Sequence, residues 1–170
     1  MMQRLISMPL ATVLVVAMLM LPGQASAILQ KGQPAPPFKV VSTSGQQITE
    51  ANYKGHVLLI DFFATWCSPC RDSIPHLIRL NQKYGKQGLQ ILGASLDEEG
   101  DKTVRDFCAV QKVNYPVALA NEEMQTEYGL RSIPTLYVIN KKGIVAEKFM
   151  GFNSDMAAKL DLLIKQLLAE

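Results

Sequence analysis

Two cysteines, Cys67 and Cys70, stand three residues apart in the run Asp61-Phe62-Phe63-Ala64-Thr65-Trp66-Cys67-Ser68-Pro69-Cys70-Arg71. An apolar stretch leads into the pair, and a helical pattern follows at once. Residues three apart on a first helical turn share a face, close enough for a disulfide, whose Cα atoms lie about 4.4–6.8 Å apart. The unpaired N–H groups of a helix start favour a thiolate there, and the thiolate is the species that attacks disulfides. The chemistry within reach is thiol–disulfide exchange, with Cys67 at the helix start as nucleophile. Cys70, one turn inward, is the expected resolving thiol. Asp61 interrupts an apolar strand, and a carboxyl buried there has a raised pKa. Such a group can take the Cys70 proton near neutral pH, directly or through water. Trp66 is expected to shelter the site beside Cys67. Ser68 and Pro69 are expected to tune redox poise by setting how readily the helix start donates to the Cys67 thiolate. Arg71 reads equally well as an electrostatic aid or as a solvated surface residue.

Other uses of these residue types fit less well. The chain has three cysteines, an odd count that suggests no disulfide framework. A staple closing so short a loop would constrain the unfolded chain little. Structural zinc normally takes four ligands, and His56 and His76 show no ligand spacing, so no metal site is expected. No cofactor is expected beyond the redox-active Cys67–Cys70 pair. Cys108 shares a helical face with Val104, Phe107 and Gln111, which reads as a small core hydrophobe. Glu98/Glu99 and Glu122/Glu123 read as solvated faces.

The 170 residues are 48% hydrophobic and 19% charged, enough for one domain with a real core. A formal charge of +2 gives no reason to expect nucleic acid or an anionic membrane surface as a partner. The N-terminus reads as an address: Arg4 is followed by the apolar run Leu10–Leu21, the break Pro22-Gly23 and the cleavage pattern Ala25-Ser26-Ala27. The run is shorter than the roughly 20 residues of a membrane span. Residues 1–27 are therefore expected to be a secretory signal, with an uncleaved membrane anchor as the alternative, and residues 28–170 the folded domain. Export would place the cysteine pair in an oxidising space.

The pattern of elements is an extended Pro/Gly-rich entry over 30–37, a small hairpin (38–42 with 46–49), and an unbroken apolar strand over 57–64 that must be covered on both faces. A helix over 68–84 follows, with Pro69 tolerable in its first turn and Pro75 expected to kink it near Arg71. Then come a buried strand (89–96), a helix (102–112), a short strand (115–120) and a short helix (122–128). The chain closes with strands over 135–139 and 144–150 joined through Asn140-Lys141-Lys142-Gly143, and an amphipathic helix over 154–168 capped by Asn153 or Ser154. Strands separated by helices imply parallel pairing, and the closing hairpin makes the sheet mixed.

These residues together resemble the thioredoxin superfamily, and within it the exported TlpA/ResA-like thiol–disulfide oxidoreductases. The resemblance rests on Phe63 to Arg71, on Pro75, and on Ile133-Pro134-Thr135 before a strand. The Gly32-Gln33-Pro34-Ala35-Pro36-Pro37-Phe38 entry, the helix–strand unit between Asp97 and Leu130, and the closing hairpin through Gly151 add to it. It implies an α/β thioredoxin-like fold: a central mixed sheet flanked by helices, an N-terminal hairpin and an inserted helix–strand unit. It also implies a cis-proline at Pro134, with the Ile133 backbone beside the cysteines and free to pair with an extended substrate segment. The implied activity is reduction of protein disulfides, for example in cytochrome c maturation. The implied partners are protein thiol/disulfide substrates and a membrane-embedded electron donor, with the enzyme a periplasmic or otherwise extracytoplasmic monomer. One position departs from the family: relatives often carry a carboxylate three residues after the second cysteine, where this chain has Ser73, while Asp61 stands where thioredoxins keep their buried acid. Two other functions fit the residues less well. A peroxiredoxin-like thiol peroxidase would want a Thr three before its cysteine, and Thr65 lies two before Cys67. A Cu(I)-delivery module would use both thiolates, but no Met or His cluster accompanies them.

Overall fold

The computed structural model describes residues 29–170, so the expected signal segment lies outside the described residues. Its strands are β1 (Lys39–Val41), β2 (Gln47–Thr49), β3 (Val57–Phe63), β4 (Leu89–Ser95), β5 (Val117–Leu119), β6 (Thr135–Ile139) and β7 (Val145–Met150). The helices are α1 (Ser68–Tyr84), α2 (Asp101–Gln111), α3 (Glu122–Glu127) and α4 (Ser154–Ala169). Strands β1 and β2 form an antiparallel hairpin, and the other five make one sheet in the order β5-β4-β3-β6-β7. β3 runs parallel to β4 and antiparallel to β6, so the sheet is mixed, as the resemblance to the thioredoxin superfamily implies.

Every residue of β3 is buried, because the strand is central and has helices or loops on both faces. Alternation divides it cleanly. Val57, Leu59 and Phe63 pack in one cluster with Leu77 and Leu80 of α1 and with Leu160 and Ile164 of α4. Leu58, Ile60 and Phe62 pack on the opposite face with Phe38, Met124, Tyr128 and Tyr137. Asp61 has the parity of Leu59 and Phe63, and the cluster on that side also holds Cys67 and Cys70. The strand thus delivers both the cysteine turn and a carboxyl to one face of the sheet.

Each edge strand is met at one end by sequence-distant backbone, which shortens the exposed edges. The loop after β1 bridges to β5 through Ser42 and Ala118, with the Thr43 N–H donating to the Val117 carbonyl at 2.8 Å. The entry segment meets the start of β7: Gly32 donates to the Val145 carbonyl at 2.8 Å, and Val145 donates back to Gln33 at 2.9 Å.

Helix α1 is a single element from Ser68 to Tyr84 with Pro75 inside it. The cap of α4 is Asn153, whose side chain accepts from the Met156 N–H at 2.9 Å. Cys108 is only half-buried, at the margin of the cluster that contains the cysteine pair, rather than fully in the core as its spacing suggests. β4 carries a glycine, Gly93, opposite Asp61. A Cβ at Gly93 would lie 2.9 Å from Val117 Cγ2 and 3.2 Å from Phe63 Cε1. Gly93→Ala should therefore overpack the core and lower stability by about 1–3 kcal/mol, read as a lower midpoint in urea unfolding.

Candidate redox site

The cysteine turn begins where β3 ends. The Cys67 N–H donates to the Ala64 carbonyl at 3.1 Å, closing a tight turn through Thr65 and Trp66. Cys67 then becomes the N-cap of α1, its backbone extended and its sulfur accepting from the Cys70 N–H at 3.3 Å. A residue at that position has a side-chain acceptor facing the unpaired N–H groups of the first turn. Here the acceptor is sulfur. Pro69 in the first turn leaves no N–H to compete for it. Cys67 and Cys70 are joined as a disulfide with a Cα separation of 5.3 Å. Cys67 keeps 6% of its surface exposed, whereas Cys70 is fully enclosed. Of the two, only Cys67 has any exposed surface for an incoming sulfur to approach, and the Cys70 N–H already points at the atom that would carry the negative charge.

Asp61 is fully buried, and neither carboxylate oxygen has a hydrogen-bond partner among the described residues. The cause lies in the register: its cross-strand neighbours are Gly93 on β4 and Leu136 on β6, neither of which offers a polar side chain. Desolvation pushes its pKa up to about 7. A group so placed can gain or release a proton near neutral pH.

Thr65 belongs to the site although its spacing from Cys67 gave it no role in the exchange chemistry. Its N–H and hydroxyl donate to the Asp97 carboxylate at 2.9 and 2.5 Å. Its carbonyl accepts from both Nε and a terminal nitrogen of Arg71, at 3.1 and 2.8 Å. The sequence shows Asp97 only as the head of an acidic run, so nothing local marks this contact.

Ile133–Pro134 is a cis peptide bond. It immediately precedes β6, whose Thr135 pairs with Phe62 on β3 and with Met150 on β7. The bond therefore sits at the end of the sheet from which the cysteine turn departs. Trp66, expected to shelter the sulfurs, leaves 67% of its surface exposed. The turn presents this side chain to solvent rather than burying it over the sulfurs. Ser68 is exposed and Pro69 likewise, both on the outer side of the first turn of α1. Ser73, where relatives often have a carboxylate, is buried and its hydroxyl donates to the Cys70 carbonyl at 2.7 Å. Among the described residues no three His, Cys, Asp or Glu side chains gather as a ligand set.

Comparison with known proteins agrees with this geometry. The AhpC/TSA family model matches residues 31–148. The thioredoxin-like protein YneN of Bacillus subtilis (strain 168) is 31% identical over 137 residues, covering 79% of this chain and 81% of its own length. The thiol-disulfide oxidoreductase ResA of Bacillus thuringiensis (strain Al Hakam) is 32% identical over 124 residues, covering 72% of this chain and 71% of its own. The crystal structure of a thiol:disulfide interchange protein of the thioredoxin family from Chlorobium tepidum TLS superposes with a TM-score of 0.72 at 30% identity, covering 82% of this chain and 98% of that one. With a linked Cys-x-x-Cys pair at the strand-to-helix junction of a thioredoxin-like sheet, the chain belongs to the AhpC/TSA family, as a thiol–disulfide oxidoreductase of the ResA kind.

Proposed function

We propose that this oxidoreductase is exported and works as a reductase of protein disulfides, for example in the maturation of cytochrome c. Residues 1–27 act as the secretory signal, and residues 28–170 are the working domain. In the forward half-cycle the Cys67 thiolate attacks one sulfur of a substrate disulfide, and the other substrate sulfur leaves as a thiolate. Cys70 then gives its proton to Asp61 and attacks the Cys67 sulfur. The second substrate sulfur departs, so two electrons have moved to the substrate and the enzyme is left as the Cys67–Cys70 disulfide. A membrane-embedded donor restores the dithiol, since an oxidising compartment offers no thiol pool to do so. Trp66, Ile133 and Pro134 supply the surface and backbone against which an extended substrate segment lies. The enzyme acts as a monomer.

The observation that carries this reading is the asymmetry of the pair: Cys67 on a helix N-cap with a sliver of exposed surface, its partner fully enclosed. That is the arrangement an attack-then-resolve cycle needs. The peroxidase reading is weaker for a specific reason. The Thr65 hydroxyl donates to Asp97, and so is committed away from Cys67.

Trapping tests the proposal. A Cys70→Ser variant expressed in cells should accumulate protein partners as mixed disulfides through Cys67, released by reductant. Recovery of none would remove the protein-substrate reading. The direction is tested separately by the reduction potential: a value near the roughly −120 mV of strong periplasmic oxidants would reverse it.

A further inference from the structure

We infer that Asp97 and Arg71 are positioning residues for Cys67, acting from two sides on the backbone of Thr65. The inference rests on the exchange reading only in taking Cys67 as the reactive sulfur.

Thr65 is the second residue of the turn that connects β3 to the N-cap cysteine, and that turn is closed by the Cys67 N–H on the Ala64 carbonyl. On one side its N–H and hydroxyl both donate to Asp97. On the other, its carbonyl receives the Arg71 fork. Every polar atom of Thr65 is thus engaged by one of two charged side chains that come from different elements, the end of β4 and the first turn of α1. Asp97 is itself held: the Ser95 hydroxyl donates to its carboxylate at 2.5 Å, and the Asp97 N–H donates to the Ser95 oxygen at 3.1 Å. Only 6% of Asp97 is exposed, so these bonds work in a partly desolvated place where charge-assisted contacts are strong.

The consequence falls on the sulfur two residues on. Its contact with the Cys70 N–H spans 3.3 Å, a close approach for a sulfur acceptor that depends on the direction in which the turn delivers Cys67. Fixing Thr65 fixes where the chain enters Cys67, and with it the angle from which the helix start meets the thiolate. The carboxylate accepts three hydrogens on two oxygens, so an amide cannot replace it. Asparagine offers one acceptor oxygen, and its NH₂ must face a donor.

The test separates positioning from simple electrostatics. Full-length protein is reduced and alkylated with iodoacetamide across pH, and the rate at Cys67 is followed by mass spectrometry. The variants are Asp97→Asn, Arg71→Ala, Thr65→Val and Thr65→Ser. Asp97→Asn removes a negative charge and Arg71→Ala a positive one, so a purely electrostatic effect would move the Cys67 half-point in opposite directions. Positioning predicts the same direction for both. In each, and in Thr65→Val, the half-point moves to higher pH by about half a unit or more, slowing alkylation at pH 7 roughly threefold. Thr65→Ser, which keeps the hydroxyl, follows the wild type. Opposite shifts overturn the inference. So does a fall in melting temperature with an unchanged Cys67 profile, which would make the contacts a structural staple only. Should the wild type fail to reduce any disulfide substrate while the variants shift as described, the exchange reading fails and the positioning role stands.

Discussion

Asp61→Asn should make the protein more stable at pH 8 and less active at pH 7. An unfolded aspartate titrates near about 3.9, whereas Asp61 in the fold titrates at about 7 because burial disfavours its charge. Below about pH 4 both states hold the proton and the group is electrostatically silent. As pH rises from there, the unfolded chain ionises first, so folding weakens until the folded carboxyl also ionises near 7. Above that the destabilisation is complete, on the order of 4 kcal/mol at about 1.4 kcal/mol per pKa unit. An amide does not titrate. The stability difference between variant and wild type should therefore be small at pH 4, grow through the interval, and level off above 7. Urea denaturation at a series of pH values reads it directly. A pH-independent difference would mean that the carboxyl reaches solvent. On the proposed cycle the same substitution also removes the acceptor of the Cys70 proton. Resolution of the mixed disulfide should slow by about 10²-fold or more, while the initial attack by Cys67 is little changed. Single-turnover kinetics on a disulfide peptide separate the two steps.

Cys67→Ser should bring disulfide reduction to the uncatalysed background, because the serine hydroxyl stays protonated where a thiolate is needed. Cys70→Ser should behave differently. Its Cys67 still attacks, so one equivalent of substrate thiol is released and the reaction stops at the mixed disulfide. Equal and complete loss in both variants, without that burst, would contradict the division of labour between Cys67 and the enclosed Cys70. Both measurements need only purified protein and a chromogenic disulfide.

The parts of the molecule that the sequence discloses are those set by short-range pattern. β3 is legible because seven successive buried residues are nearly all apolar, and Asp61 stands out for the same reason. The N-cap position of Cys67 follows from an apolar strand running straight into a helical pattern with Pro69 in its first turn. The parallel β3–β4 and β4–β5 pairings and the β6–β7 hairpin follow from which strands are separated by helices, whereas the antiparallel pairing of β6 with β3 does not. What stays hidden depends on register and on sequence-distant contact. Asp97 sits at the head of an acidic run that reads as a helix start. Only the pairing of Phe63 with Ser95 brings it level with Thr65, 32 residues earlier. The contact of β5 with the loop after β1, and of β7 with the entry segment, likewise needs the tertiary fold. Trp66 illustrates a third difficulty: an aromatic beside a reactive cysteine suggests shelter, but a residue in the middle of a tight turn points outward. Cys108 shows a fourth. Helical spacing gives its face, not how deeply that face is covered, and α2 lies at the edge of its cluster. Asn153 and Ser154 are both capable caps, and only the backbone geometry, extended at Asn153, decides between them.

The most direct test of the central claim, that the cysteine on the helix N-cap is the reactive one, is competitive alkylation of the fully reduced protein at pH 7 followed by peptide mapping. The account predicts rapid labelling at Cys67, with Cys70 enclosed and slow, and with Cys108 slow because burial pushes its thiol up to about 11. Labelling of Cys108 ahead of Cys67, or a Cys67 that resists alkylation at that pH, would contradict it.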